Sequence, residues 1–510
     1  MIKQEPSIEK ELEVEKFSKI SKQVGFNYFT IIAQILLAPL LVALLTRTLT
    51  VSEYGVYSLL MVFVFFAISF LELGFSQFII TKLSGVEPEK RAQLFGSILK
   101  FETIIIGVAL AVFAFSPLSK YFLGVSALWQ YMPELRVGVA IVFVATLVRL
   151  FNSYFKSTKQ INVANTLDLV FNKGWALLLL LVFAVFRKFT LMQVFEIWLA
   201  GAIVALGISI YYLRDELIAQ LTARIDMRYI KSALYFSIPL ILMIISNWFI
   251  AMSNRYVLNF YTTTAVVGIF SVAYSLMGVV TTFSTTISQV IQPYFTEAFS
   301  KKAKPDILIN ASLKYSLFLV LPATTVAVVW REQIVTLISG APYIGAAPII
   351  ATLALYPLFA LVTFVFYQVL IAANRTRYVG AMHLIGAALS IVLNFALIPK
   401  YGAQGAAIAT VGSYLFLMLA MAIPGIRKVK IIPRYLKIPK MLLASAIVGG
   451  FLLFINPLGA AGKISALVLA ILFYLALALI FRIFGRREMG ILRKILPKSL
   501  YPVIDYFSKR

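Results

Sequence analysis

Fourteen apolar runs, each about the length of a membrane-spanning helix, recur along this chain with short polar loops between them. A bilayer core about 30 Å thick needs about 20 apolar residues per helix, and backbone polar groups crossing it must be paired internally. The runs begin near Val24, Val56, Ser97, Glu134, Ala164, Val194, Ala233, Val266, Leu308, Gly345, Tyr378, Ala406, Met441 and Ile464. Only 13% of residues are charged, about half the usual share in soluble domains, ~25%. The pattern specifies an all-α polytopic membrane protein of about 14 transmembrane helices.

Charge placement gives the expected topology. A formal charge of +25 can signal nucleic acid, but Lys and Arg also accumulate in cytoplasmic loops. With the N-terminus inside, alternate loops collect 35 of the 46 cations, and nine face outward, among them Arg47, Arg136, Arg255 and Lys400. Arg149 and Lys173 fall inside predicted helices. Both termini are therefore expected in the cytoplasm, with the basic surplus meeting anionic lipid heads and no nucleic acid. No cleavable signal peptide is expected, because the first apolar run is too long for one. Zero cysteines and a single histidine, His383, leave no thiolate or histidine metal cluster and no cysteine catalysis. The extramembrane segments offer no room for a soluble catalytic domain, so the chain is expected not to be an enzyme.

The second half echoes the first. Gly55-Val56-Tyr57-Ser58 recurs as Gly268-Ile269-Phe270-Ser271, an offset of 213. Arg47 matches Arg255, Lys159 matches Arg375 and Asn172 matches Asn394 at similar offsets. Six helices per unit gives both copies one orientation, a parallel repeat. The expected organisation is a cytoplasmic segment 1–23, an N-lobe 24–213, a linker 214–232, a C-lobe 233–426, two further helices over 427–484 and a basic tail 485–510. Two six-helix lobes around a central cavity suit alternating access.

Four segments carry a family resemblance. They are Leu44-Leu45-Thr46-Arg47 through Glu53-Tyr54-Gly55-Val56-Tyr57-Ser58, then Leu71-Glu72-Leu73-Gly74-Phe75, then Asn254-Arg255-Tyr256 with Val267-Gly268-Ile269-Phe270-Ser271, and finally Leu397-Ile398-Pro399-Lys400-Tyr401-Gly402 through Thr410. In this order the chain resembles the polysaccharide flippases of the multidrug/oligosaccharidyl-lipid/polysaccharide exporter superfamily over nearly its whole length. Asn254 stands where that family usually has Asp. The resemblance implies two facing bundles and a polyprenyl-(di)phosphate-linked glycan as substrate, its lipid tail remaining in the bilayer. It also allows polysaccharide-assembly proteins as partners.

Moving such a substrate requires cations for phosphate and amides or hydroxyls for sugar. Lys173 is the leading candidate by depth, since a lysine facing lipid at mid-bilayer costs about 2.5–3.5 kcal/mol or more. A phosphate 4 Å away returns about 4 kcal/mol at an effective dielectric near 20. Asn162, Asn165, Asp168 and Asn172 form a polar stripe on the same helix, with Lys173 on its edge; an Asp168–Lys173 ion pair is the packing alternative. Arg149, Arg47 and Arg255 are further candidates for the phosphate, with snorkelling to headgroups as the alternative. Glu72 and Asp168 are the candidate acids for proton or sodium coupling, and a salt bridge from Glu72 to Arg149 or Lys173 accounts for Glu72 equally well. A flippase for a lipid II-type cell-wall precursor and a cation-coupled multidrug antiporter of the same superfamily are the nearest alternatives. A membrane glycan polymerase or glycosyltransferase is disfavoured by the short loops.

Overall fold

The computed structural model describes residues 36–83, 86–116, 126–186, 188–300, 306–455 and 459–485, and these residues form helices and turns without a strand. The N-terminal segment 1–23, nearly all of the tail from 485 and the cations of 301–304 lie outside the described residues. Among the described residues nine helices are long and apolar enough to cross a membrane, or ten if one bent pair is a single span. The chain divides into two compact units, Met1–Gly268 and Ile269–Arg510.

The first unit contains α1 (Leu36–Thr48), α2 (Val51–Leu71), α3 (Phe75–Lys82), α4 (Pro88–Phe115), α5 (Met132–Ser157), α6 (Ile161–Leu169), α7 (Trp175–Phe186), α8 (Leu191–Thr222), α9 (Met227–Tyr261) and the start of α10 (Thr264–Ser300). Local chemistry sets several starts. Thr50 and Glu53 form a capping box at α2, and Thr190 and Gln193 form another at α8, each satisfying two otherwise orphaned N–H groups. Asp226 caps α9 by accepting from Arg228 N at 2.9 Å, and hydrogen bonds from Arg228 hold its carboxyl below the usual carboxylate range.

Helix α5 forms the centre of this unit, with Ile141, Val142, Ala145, Leu150, Tyr154 and Phe155 fully buried against α2, α3, α4, α6 and α8. The repeat-matched glycines pack on one another. A Cβ on Gly55 would strike the Thr264 carbonyl, and one on Gly268 would strike the Val51 carbonyl. The Ser52 and Thr264 hydroxyls lie 2.5 Å apart beside them, so α2 and the start of α10 touch backbone to backbone, as small residues permit.

Two helices expected to be continuous are broken. The second ends at Leu71 with Glu72 as its C-cap, and Leu73 and Gly74 take φ of 50° and 70° before α3 resumes. The fifth passes through a π-helical turn, Val170–Gly174, and bends by 43° between Asn172 and Trp175. The π turn is the physical reason for that bend. Residues 214–232 hold the end of α8, a short break and the start of α9.

The second unit contains α11 (Asp306–Val329), α12 (Ala346–Leu353), α13 (Leu355–Ala372), α14 (Thr376–Ile426), α15 (Ile438–Phe454) and α16 (Gly459–Ile480). Gly402 interrupts α14 with φ 53° and ψ −130°. Tyr378 Oη donates to Ala420 O at 2.9 Å, a contact that only two antiparallel arms allow, because 42 residues of straight helix would span about 63 Å. The last two helices pack on α11 through Phe318, Leu321, Met441, Val448 and Tyr474, pinned by Trp330 Nε1 to Leu452 O at 2.8 Å. His383 is packed in this unit, its Nδ1 2.8 Å from Val379 O and its ring edge-on to Tyr367.

Candidate functional site

A polar stripe on α5 runs Arg149, Asn152, Ser153, Lys156 at i, i+3, i+4 and i+7, the spacing of one helical face. It faces a cavity of about 220 Å³ inside the first unit, bounded by the α2–α3 break on one side and by α6 and the π turn on the other. The break delivers Glu72. Its Oε2 lies 3.0 Å from Arg149 Nη1, with side-chain exposures of 14% and 34% respectively. On the opposite wall Lys156 Nζ meets Asp168 Oδ2 at 3.0 Å, both side chains over a third exposed.

Amides complete the lining. Asn172 Nδ2 donates to the Asp168 carbonyl at 2.8 Å, and buried Asn152 Nδ2 donates to Ala164 O at 2.7 Å, tying α6 to α5. Ser76 and Ser153 add hydroxyls. The four charges cancel in pairs, and partly solvated pairs of this kind are individually worth only about 0–1 kcal/mol. An arriving dianion can therefore compete for Arg149 and Lys156 at little cost.

Of the residues expected from the sequence, Glu72, Arg149, Asp168 and Asn172 meet at this cavity. Lys173 follows Asn172 in the π turn, but its side chain lies outside the described residues. Asp168 pairs with Lys156. Asn165 does not line the cavity, and its buried Nδ2 has no hydrogen-bond partner among the described residues. Arg47 is exposed at the end of α1. Arg255 is 4% exposed, with Nη1 3.4 Å from Ala251 O and 3.3 Å from Met252 Sδ in α9. Neither arginine lines the cavity.

Sequence reasoning missed Lys156 and Asn152 as site residues because Lys156 reads as an ordinary cation at the inner end of a span. The signal was available in their spacing from Arg149. Glu102 of α4 does not line the cavity; it is fully buried, and neither carboxylate oxygen has a hydrogen-bond partner among the described residues. Among the described residues no group of three or more His, Cys, Asp or Glu is placed to hold a metal ion.

Residues 20–299, over half of the chain, match the family model described as polysaccharide biosynthesis protein. The chain belongs to that family. This agrees with the resemblance carried by the Tyr54-Gly55 and Val267-Gly268 segments. A probable low-salt glycan biosynthesis flippase of Haloferax volcanii is 25% identical to this family member over 172 residues, 33% of this chain and 36% of the relative. An uncharacterized membrane protein of Methanocaldococcus jannaschii is 26% identical over 151 residues, 29% of this chain and 30% of the relative. The chain thus spans about a third of the length of the curated relatives it matches.

Solved structures share the fold. The lipid II flippase MurJ in an inward-closed conformation superposes with a TM-score of 0.74 at 16% identity, over 90% of this chain and 98% of that one. An inward-facing multidrug resistance MATE family transporter of the MOP superfamily gives 0.59 at 14% identity, over 77% and 93%. The fold is that of the MurJ and MATE transporters.

Proposed function

We propose that this family member is a flippase that translocates a polyprenyl-(di)phosphate-linked oligosaccharide across the cytoplasmic membrane by alternating access, for surface polysaccharide or glycoconjugate assembly. The observation that carries the reading is the cavity on α5, where two cations, each held by an exchangeable carboxylate, stand among amides and hydroxyls. A glycan-linked phosphate needs both kinds of partner, cations for its charge and neutral donors for its hydroxyls. The name of the Haloferax volcanii relative, a glycan biosynthesis flippase, and that of MurJ, a lipid II flippase, point to the same class of lipid-linked saccharide.

Charge exchange gives the mechanism. The substrate phosphate takes Arg149 from Glu72 and Lys156 from Asp168, and Lys173 adds a third cation from the π turn. At 4 Å and an effective dielectric near 20, one such contact returns about 4 kcal/mol, the same order as the carboxylate contact it replaces, so the exchange is nearly balanced. The displaced carboxylates then lack partners and take up protons or sodium ions, so Glu72 and Asp168 couple ion movement to substrate movement. The sugar hydroxyls bond to Asn152, Ser153 and Asn172 while the lipid tail stays in the bilayer. Both termini face the cytoplasm. A cavity for cationic drugs would instead carry carboxylates without cations beside them, whereas Glu72 and Asp168 are both paired.

The test is reconstitution. A labelled polyprenyl-diphosphate oligosaccharide in vesicles bearing the protein changes leaflet and remains chemically intact on this account. Release of free glycan or chain extension would indicate an enzyme, and a leaflet distribution identical to that of empty vesicles would overturn the proposal.

A further inference from the structure

A second recess lies in the first unit between α4 and α5, a groove of about 360 Å³ that shares no lining residue with the charged cavity. We propose that it holds one acyl chain of an anionic glycerophospholipid from the surrounding bilayer, with the lipid phosphate bound by Arg136.

The geometry fits a chain from a single leaflet. Gly107 and Ala111 of α4 face Ala140 and Phe143 of α5, with Phe115 and Arg136 at the end where residues 116–131 join the two helices. A Cβ on Gly107 would sit 3.8 Å from the Phe143 ring, so the helices run antiparallel and that contact marks the inner limit. From Phe143 to Arg136 is seven residues, about 10 Å of helical rise. One half of the hydrocarbon core is about 15 Å deep, so the groove descends from headgroup level most of the way to the midplane. Its volume falls within the ~300–1,000 Å³ of small-molecule sites. Small residues on facing helices ordinarily let them close together; here they leave a gap whose outer end is apolar and open, with Phe115 86% exposed.

The chemistry selects the occupant. Arg136 is exposed and makes no ion pair among the described residues, and near the helix end its long stem reaches headgroup level. Glu134 lies two positions away, a spacing that places it on another face. Among the described residues no carboxylate, amide or hydroxyl side chain lines the groove. A guanidinium with apolar walls matches a phosphate carrying a hydrocarbon chain. A simple anionic lipid fits, and a glycan-bearing one finds no hydroxyl partners among the described residues. The site does not depend on what the protein transports.

The chain has no cysteine, so Phe115→Cys can carry a bimane fluorophore at the open end of the groove. The full-length protein is placed in vesicles containing equal phosphatidylglycerol and phosphatidylcholine, with brominated chains on one lipid or the other. Brominated phosphatidylglycerol is expected to quench preferentially, and Arg136→Ala to reduce that preference about fivefold. Arg136→Lys retains most of it. Gly107→Leu, which favours the helix and fills the gap, weakens quenching by both lipids. Equal quenching by the two lipids with Arg136 present, an unchanged preference in Arg136→Ala, or no effect of Gly107→Leu would each overturn the assignment. So would preferential displacement of phosphatidylglycerol by polyprenyl phosphate, which would make the groove a substrate-tail site.

Discussion

Arg149 and Lys156 stand two turns apart on one face of α5, and each is held by a carboxylate from a different broken segment, Glu72 at the α2–α3 break and Asp168 before the π turn. Removing one member of the inner pair leaves a charge without its partner. Glu72→Gln is therefore expected to lower stability by up to about 1 kcal/mol, read as the thermal unfolding midpoint in detergent. Adding Arg149→Gln should recover most of that loss, because no charge is then left without its partner. Lys173 gives a separate prediction. Lys173→Ala should reduce transport sharply at normal membrane abundance, and Lys173→Arg should keep part of it, since the charge persists with altered geometry. Full transport by Lys173→Ala would remove that residue from the mechanism. Glu72, Arg149, Asp168 and Asn172 were legible because charge or amide within an apolar helix is expensive. Lys156 was not, because a lysine at the end of a span needs no such explanation.

Breaks and close crossings are the features that position these side chains. At Gly74, φ is 70° and a Cβ would lie 3.2 Å from Ser237, so Gly74→Ala should cost about 1–2 kcal/mol from the left-handed backbone alone. Gly55→Ala faces a harder obstacle, the Thr264 carbonyl, and should destabilise by about 1–3 kcal/mol through overpacking. Dye-monitored unfolding of both variants checks the pair, and an unchanged midpoint for Gly55→Ala would contradict the backbone-to-backbone crossing. The helical runs themselves were legible from apolar length. The interruptions at residues 72–74 and 170–174 were not, because Leu73, Val170 and Phe171 are apolar residues that extend a helical pattern, while positive φ and π turns depend on tertiary contacts. The turn in α14 was legible as the division between the apolar runs beginning near Tyr378 and Ala406, with Lys400 between them; Gly402 makes it.

For the whole molecule, the repeat and charge bias predict orientation. Cysteines introduced singly at Ser52 and Lys400 should react with an impermeant thiol reagent applied to intact cells, and one at exposed Arg375 should not. Labelling at Arg375 under those conditions would reverse the topology. The central claim is that the charged cavity on α5 carries the substrate phosphate, and its most direct test is leaflet exchange of a labelled polyprenyl-diphosphate oligosaccharide by the Glu72→Gln, Arg149→Gln double variant. That variant keeps the cavity's shape and recovers stability while losing the inner cation. The account predicts a folded protein that flips the substrate at a small fraction of the unsubstituted rate. Exchange at the unsubstituted rate would show that the ion pair is structural and that the phosphate passes elsewhere.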